Sequence, residues 1–259
     1  GYPDKWKDYS KLETNLSLYE NVTNARKWRF EDNKEKQGKP VDKSQWMMTP
    51  QTVNAYYSSS YNEIVFPAAI LQAPFYDYKA DAAVNFGGIG AVIGHELSHG
   101  FDDSGSQYDG DGNLNNWWTD QDRKEFEKAT AALIAQFNAF EPAPGVHVNG
   151  KYTLGENIGD LGGSSVAFDA LMMYLADKGN PGVIDGFTPQ QRFFLSWATI
   201  WRTKTTEAFV INQVKTDPHS PAMFRATGPL VNLDAFYEAF NIKEGDKLFV
   251  PKASRIVIW

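Results

Sequence analysis

His95-Glu96-Leu97-Ser98-His99 places two imidazoles four residues apart, with a carboxylate beside the first. On an α-helix, positions i and i+4 lie one turn apart on one face. Two imidazoles so placed can reach one tetrahedral Zn2+ at about 2.0–2.1 Å each. Glu96 then stands where it can take a proton from a metal-bound water, whose pKa the metal lowers to about 7. Histidine is scarce, four in 259 residues, so chance is a poor explanation of the spacing. The competing explanation is a pair of helix-end histidines satisfied by hydrogen bonds.

Two histidines leave a third ligand to find. The longer H-E-x-x-H-x-x-G-x-x-H form needs Gly at 102 and His at 105, and the chain has Asp102 and Gly105, which excludes it. His147 and His219 are the remaining histidines. A carboxylate is the alternative, as in His2Glu catalytic sites. Glu156 is the best choice, in Gly155-Glu156-Asn157-Ile158-Gly159-Asp160 at the start of an expected helix. Asp160 falls one turn further on the same face, placed to accept a ligand imidazole N–H. Thr153-x-x-Glu156 is equally a capping box, and local sequence does not decide between cap and ligand. Asp109-Gly110-Asp111-Gly112-Asn113 resembles a calcium loop but has Leu114 at the sixth position and Asp120 at the twelfth, where Gly and Glu are expected. It reads as an Asp/Gly-rich turn.

These side chains need elements to carry them. Ala82 to Phe101 is apolar nearly throughout and predicts one buried helix bearing the histidine pair, with Gly87, Gly88 and Gly90 permitting close packing. Thr119 caps a helix to about Phe140, with Phe126, Ala129, Leu133 and Phe137 at helical spacing. Further helices are expected over Val22 to Lys36, Thr153 to Asp177, onward from Thr188-Pro189, and over Leu233 to Phe240. Val53 to Tyr57 and Glu63 to Phe66 read as a hairpin turning at Ser58 to Asn62. Asp102 to Trp118 and Asp217 to Pro229 read as irregular. The sum is one mainly helical α+β unit with a small sheet.

Composition limits the possible functions. Lys+Arg 25 against Asp+Glu 32 gives a net charge of −7, a poor match to nucleic acid or an anionic membrane surface. No apolar run approaches the roughly 18 residues of a membrane span. With no cysteine, disulfides, thiolate metal sites and thiol catalysis are excluded. Hydrophobic residues at 42% and charged at 22% are an ordinary globular balance.

Several segments together resemble the catalytic portion of neprilysin-like zinc endopeptidases, the group of endothelin-converting enzyme and bacterial oligopeptidases. They are Val53 to Tyr57, Ile64 to Ala68, Gly94 to Asp103, Gly155 to Asp160, and Asp217-Pro218-His219-Ser220-Pro221. The resemblance implies a thermolysin-like zincin fold across residues 1–259. It implies one catalytic zinc held by His95, His99 and Glu156, Glu96 as general base, and Asp102 and Asp160 orienting the imidazoles. His219 would stabilise the oxyanion, Arg225 would hold a substrate carbonyl, and Asn54 and Ala55 would bind the peptide backbone. Ile70, Phe75, Val92 and Trp201 match the wall of an apolar pocket for the residue after the scissile bond. Taken without the resemblance, Asn54-Ala55 is an ordinary edge strand, His219 a loop residue and Arg225 a salt-bridge partner.

The expected reaction is hydrolysis of short peptides before large apolar residues, by Glu96-assisted attack of zinc-bound water. Animal members of the family are disulfide-rich, so the absence of cysteine points to a bacterial member, in which the sequons at Asn15 and Asn21 mean little. Cysteine usage does not fix the compartment; a location outside the cytoplasm is the expectation, with the cytoplasm as the alternative. In the family a further N-terminal domain closes over the site, and it is the expected partner of this chain beside the peptides themselves. Two other functions are weighed: a non-catalytic peptide-binding module, which has no use for Glu96, and a structural zinc site, which needs four protein ligands.

Overall fold

The computed structural model describes residues 1–258. Helix α1 (Leu18–Lys36) starts at Ser17, whose hydroxyl accepts from Glu20 N, and buries no residue. Strands β1 (Tyr56–Ser58) and β2 (Glu63–Val65) pair antiparallel with Tyr56 opposite Val65 and Ser58 opposite Glu63. The hairpin is therefore shorter than expected: Val53, Asn54 and Ala55 lead into β1 without belonging to it.

The expected helix from Ala82 to Phe101 is three pieces. They are α2 (Ala82–Asn85), a π-turn (Phe86–Gly90) and α3 (Ala91–Ser98). The run Phe-Gly-Gly-Ile-Gly explains the π-turn, because residues without Cβ accept its wider backbone at little steric cost. The helix stops at His99 because the chain must turn there. Asp102 Oδ1 accepts from Ser104 N at 2.8 Å and Gly105 N at 2.6 Å, and these bonds bend the following segment back. Beyond it, Asp109 spends its carboxylate on its own loop, accepting from Asp111 N, Asn113 N and Asn115 Nδ2.

Helix α4 (Asp120–Asn138) opens on a reciprocal capping box between Thr119 and Asp122. Helix α5 (Leu154–Lys178) is the axis of the molecule. Its Leu154, Ile158 and Leu161 enter a core with Phe126, Leu133 and Phe137 of α4. Its Ala167, Leu171 and Leu175 enter a second core with Phe193, Phe194 and Trp197. The latter three lie on α6 (Pro189–Ile200), which starts at the Thr188/Gln191 capping box with Pro189 in its first turn. Burying a side chain of this size contributes about 2–3 kcal/mol.

Helices α7 (Glu207–Thr216) and α8 (Ala222–Thr227) were not foreseen, and α9 (Asp234–Phe240) follows. Helix α7 fully buries no residue; its half-buried Val210, Ile211 and Val214 form only a short apolar stripe. The six residues of α8 lie between Pro221 and Pro229, too few for a period to show. No helix among the described residues is long and apolar enough to cross a membrane.

Candidate active site

Helix α3 lies against α5 across a seam of glycines. A Cβ on Gly163 would come within 2.5 Å of His95 N, one on Gly94 within 2.8 Å of Gly163 Cα, and one on Gly159 within 2.7 Å of the His95 ring. Only hydrogen at these positions lets two backbones approach so closely. The approach brings Glu156 and Asp160, one turn apart on α5, to the histidines of α3.

His95, His99 and Glu156 converge, their ligand atoms all within 4.8 Å of one another. His95 Nε2 lies 3.0 Å from His99 Nε2 and 3.3 Å from Glu156 Oε2, and His99 Nε2 lies 3.7 Å from Glu156 Oε1. Ligands on a tetrahedral ion with bonds of about 2.0–2.1 Å stand ~3.3 Å apart, so the three separations bracket the required value. The other ring nitrogens face carboxylates: His95 Nδ1 is 2.9 Å from Asp160 Oδ1, and His99 Nδ1 is 2.7 Å from Asp102 Oδ2. With hydrogens on both Nδ1 atoms, the two Nε2 lone pairs point at each other. That arrangement calls for a proton or a metal ion between them, so the donor set fits zinc.

The charges of the metal-free site agree with this geometry. Burial alone would lower the His95 pKa, yet Asp160 and Glu156 outweigh it and hold the group at about 9. Burial would raise Glu156, but the hydrogen bond and charge of His95, with Arg225 and His99, depress it well below the usual range. Burial likewise opposes ionisation of Asp160, and Arg225 with His95 overcomes it. Glu96 is different. Burial raises its carboxyl, and the charges of His95, His99 and Arg225 only partly offset the rise.

Thr153 is the N-cap residue of α5 but forms no capping box with Glu156. Its side chain makes no capping bond to α5; the hydroxyl donates to Asn149 O and accepts from Asn157 Nδ2 at 2.9 Å. This corrects the capping-box alternative and leaves Glu156 free to face the histidines. Asn157 Oδ1 in turn accepts from Ser220 Oγ at 2.8 Å, which pins the following loop to α5. That loop carries His219, whose Nδ1 is 2.6 Å from Asp217 Oδ1 and whose Nε2 is 3.2 Å from Glu156 Oε2. Arg225 on α8 is buried and bidentate on Asp160, at 2.7 Å from Nε and 2.8 Å from the terminal nitrogen. It also covers the Trp201 ring at 3.9 Å. The salt-bridge reading of Arg225 thus holds, and the same side chain reaches the cleft.

One cleft of about 700 Å3 is lined by His95, Glu96, His99, Glu156, His219 and Arg225, and also by Asn54, Ala55, Ile70, Phe75, Val92 and Trp201. Every candidate residue read from sequence reaches it, including Asp102 and Asp160. Asn54 and Ala55 do so from the approach to β1, and the Ala55 amide is already bonded to Asn54 Oδ1 at 2.9 Å. Tyr57, Asp103, Tyr152 and Trp197 also line the cleft and were not singled out from sequence. For Tyr152 the signal was its four-residue spacing from Glu156; for Asp103, its place beside Asp102.

The model of peptidase family M13 matches residues 54–256. The chain belongs to peptidase family M13. A neutral endopeptidase of Lactococcus lactis is 42% identical over 261 residues, covering 100% of this M13 chain and 40% of its own. An endothelin-converting enzyme homolog of Locusta migratoria is 43% identical over 247 residues, covering 93% of this chain and 34% of its own. Among solved structures, the Mycobacterium tuberculosis zinc metalloprotease Zmp1 in complex with an inhibitor matches with a TM-score of 0.94 at 55% identity. The match covers 100% of this chain and 40% of that one. PepO from Lactobacillus rhamnosis matches at 0.85 with 36% identity, covering 100% and 40%. The neprilysin-like resemblance and the mainly helical α+β zincin fold both stand. The M13 chain described here spans less than half the length of these relatives.

Proposed function

We propose that this chain is the catalytic part of a zinc-dependent endopeptidase that cuts internal bonds of short peptides before large apolar residues. The observation that carries the reading is the convergence of His95, His99 and Glu156 beside Glu96, in a cleft with an apolar wall. When bound, zinc supplies a Lewis acid that polarises a peptide carbonyl and acidifies water. His95, His99 and Glu156 would hold it. Asp102 accepts the His99 Nδ1 hydrogen and the Asp160 carboxylate faces His95 Nδ1 at 2.9 Å, so the two would fix which nitrogen each ring presents.

Glu96 accepts a proton from the attacking water and passes it to the leaving amine. Its buried setting favours the protonated form more than an exposed carboxylate would, which suits a group that must hold a proton between the two steps. Asp217 orients the His219 ring, and an Nε2 hydrogen there is donated to the developing oxyanion. Arg225, locked by Asp160, holds a substrate carbonyl. Asn54 and Ala55 engage the extended backbone, which adds alongside the hairpin. Ile70, Phe75, Val92 and Trp201 receive the apolar side chain.

Residues 1–259 are the catalytic domain of a longer bacterial protein, working outside the cytoplasm, with an N-terminal domain closing the cleft. The chain covers 34% and 40% of two relatives' own lengths, which supports only its being part of a longer protein. The test uses the full natural chain with a pool of short peptides. Cleavage should disappear on chelation and return with zinc. Zinc-loaded protein that cuts no peptide would overturn the reading and leave a peptide-binding module.

A further inference from the structure

The π-turn preceding α3 frees a backbone donor that an unbroken α-helix would use internally. The Ile89 amide bonds outside the helix, to Phe75 O at 2.7 Å. Gly88 makes that approach possible: a methyl there would overlap Phe75 O and come within 3.2 Å of its carbonyl carbon. One turn earlier, Asn85 grips the same loop with both ends of its carboxamide. Oδ1 accepts from Asp77 N at 2.9 Å, and Nδ2 donates to Asp77 O at 2.8 Å.

The loop from Phe75 to Asp77 is thus tied to the active-site helix at three points, all of them through its backbone. Its own side chains do little to hold it. Tyr76, Asp77 and Tyr78 are exposed. Phe75 is the exception, lining the cleft and packing on a small cluster of Ala55, Ile70 and Ile89. Ile89 thus holds the Phe75 backbone by its amide, and its side chain belongs to the cluster on which the Phe75 ring packs.

We propose that Gly88, the Ile89 amide and Asn85 form a latch that positions Phe75, and thereby sets how large a substrate side chain the cleft accepts after the scissile bond. This rests on the endopeptidase reading for the pocket's use, though not for the latch itself. These are positioning residues. They contribute through the wall they place and touch neither the reacting bond nor the metal.

The test compares two peptides differing only in Phe or Ala after the scissile bond, with Asn85→Ala, Gly88→Ala, Phe75→Ala and Asn85→Ala/Phe75→Ala in the zinc-loaded full natural chain. A pocket mismatch of about one methylene changes discrimination by roughly tenfold or more. Asn85→Ala and Gly88→Ala should raise KM for the Phe peptide by about that factor, with kcat and the Ala peptide nearly unchanged. Added to Phe75→Ala, the Asn85→Ala change should alter discrimination no further. Folded variants that slow both peptides equally, or that act additively with Phe75→Ala, would overturn the proposal.

Hydrogen exchange of the Ile89 amide gives a reading independent of turnover. It should be protected in the unmutated protein and faster to exchange in Gly88→Ala. If the unmutated protein cuts neither peptide, the endopeptidase reading fails while the exchange experiment still decides the latch. An Ile89 amide unprotected in the unmutated protein would remove it.

Discussion

On the proposed zinc site, replacing Gly159 with alanine should weaken zinc binding without unfolding the protein. The new Cβ would lie 2.7 Å from His95 Nδ1 and Cε1 and 3.1 Å from Cγ. Carbon atoms in contact settle at about 3.5–4.0 Å, so one partner must give way by ~1 Å. Withdrawal of helix α5 is resisted from behind, where Leu154, Ile158 and Leu161 pack with Phe126, Leu133 and Phe137 and where Ala167, Leu171 and Leu175 pack with Phe193, Phe194 and Trp197. The imidazole must move instead. Metal–ligand distances tolerate only about 0.2 Å, so His95 is lost as a well-placed ligand. Disturbing even a partner of a ligand costs about 10–100-fold in affinity. Displacing the ligand itself should reach the upper end, about 100-fold or ~2.8 kcal/mol. Alanine is favoured over glycine inside a helix by about 1 kcal/mol, which offsets part of the strain on the fold. The assay is zinc competition against a chelating dye, with circular dichroism as the control for folding. A folded Gly159→Ala protein that binds zinc as tightly as the unmutated one would refute the reasoning.

Further outcomes follow from the same geometry. The His95 pKa of about 9 lies above its ordinary value, so zinc must displace a proton below that pH. Zinc affinity should climb about tenfold per pH unit and level off near pH 9, and a flat titration would contradict it. The sign for the metal-free protein is opposite: stability from His95 is complete below its ordinary pKa of 6.5 and is lost as pH rises through about 9. Arg225→Ala strands the fully buried Asp160 carboxylate, and breaking such a pair costs about 3–5 kcal/mol. Arg225→Lys should rescue little of it, since one ammonium cannot replace the two-pronged contact; denaturant unfolding measures both. Glu156→Ala should weaken zinc binding by at least about 100-fold, and equal affinity in the dye assay would exclude Glu156 as a ligand.

Much of the site was legible because its chemistry is written in spacings that helices preserve. His95 and His99 at i and i+4 share a face of α3, and Glu156 and Asp160 share one of α5. Four side chains thus needed only two helices to be placed. The capping helices were equally readable: Thr119 and Thr188 sit where their partners Asp122 and Gln191 demand. Elsewhere local and long-range forces part company. Thr153-x-x-Glu156 has the form of a capping box, yet Asn149 and Asn157 occupy the hydroxyl, a competition between contacts one turn either side. The glycines of the Ala82 to Phe101 run signalled close packing but not the π-turn they permit, in which Ile89 N bonds Phe75 O of the preceding loop instead of the helix. Asn54 and Ala55 read as strand from their neighbours, while the ladder begins only at Tyr56, where β2 supplies partners. Helix α7 offered only a short stripe of Val210, Ile211 and Val214 behind the Thr206 cap, and it fully buries no residue.

Glu96 beside the metal-binding group is the residue on which the endopeptidase account turns. Glu96→Gln keeps the shape of the side chain and removes its capacity to take a proton. The decisive measurement is mass-spectrometric mapping of cuts in a mixed pool of short peptides, by the zinc-loaded full natural chain and its Glu96→Gln variant at equal zinc occupancy. The account predicts cuts before large apolar residues by the unmutated protein, and their loss in the variant. Undiminished cutting by the variant, or none by the unmutated protein with zinc bound, would contradict it.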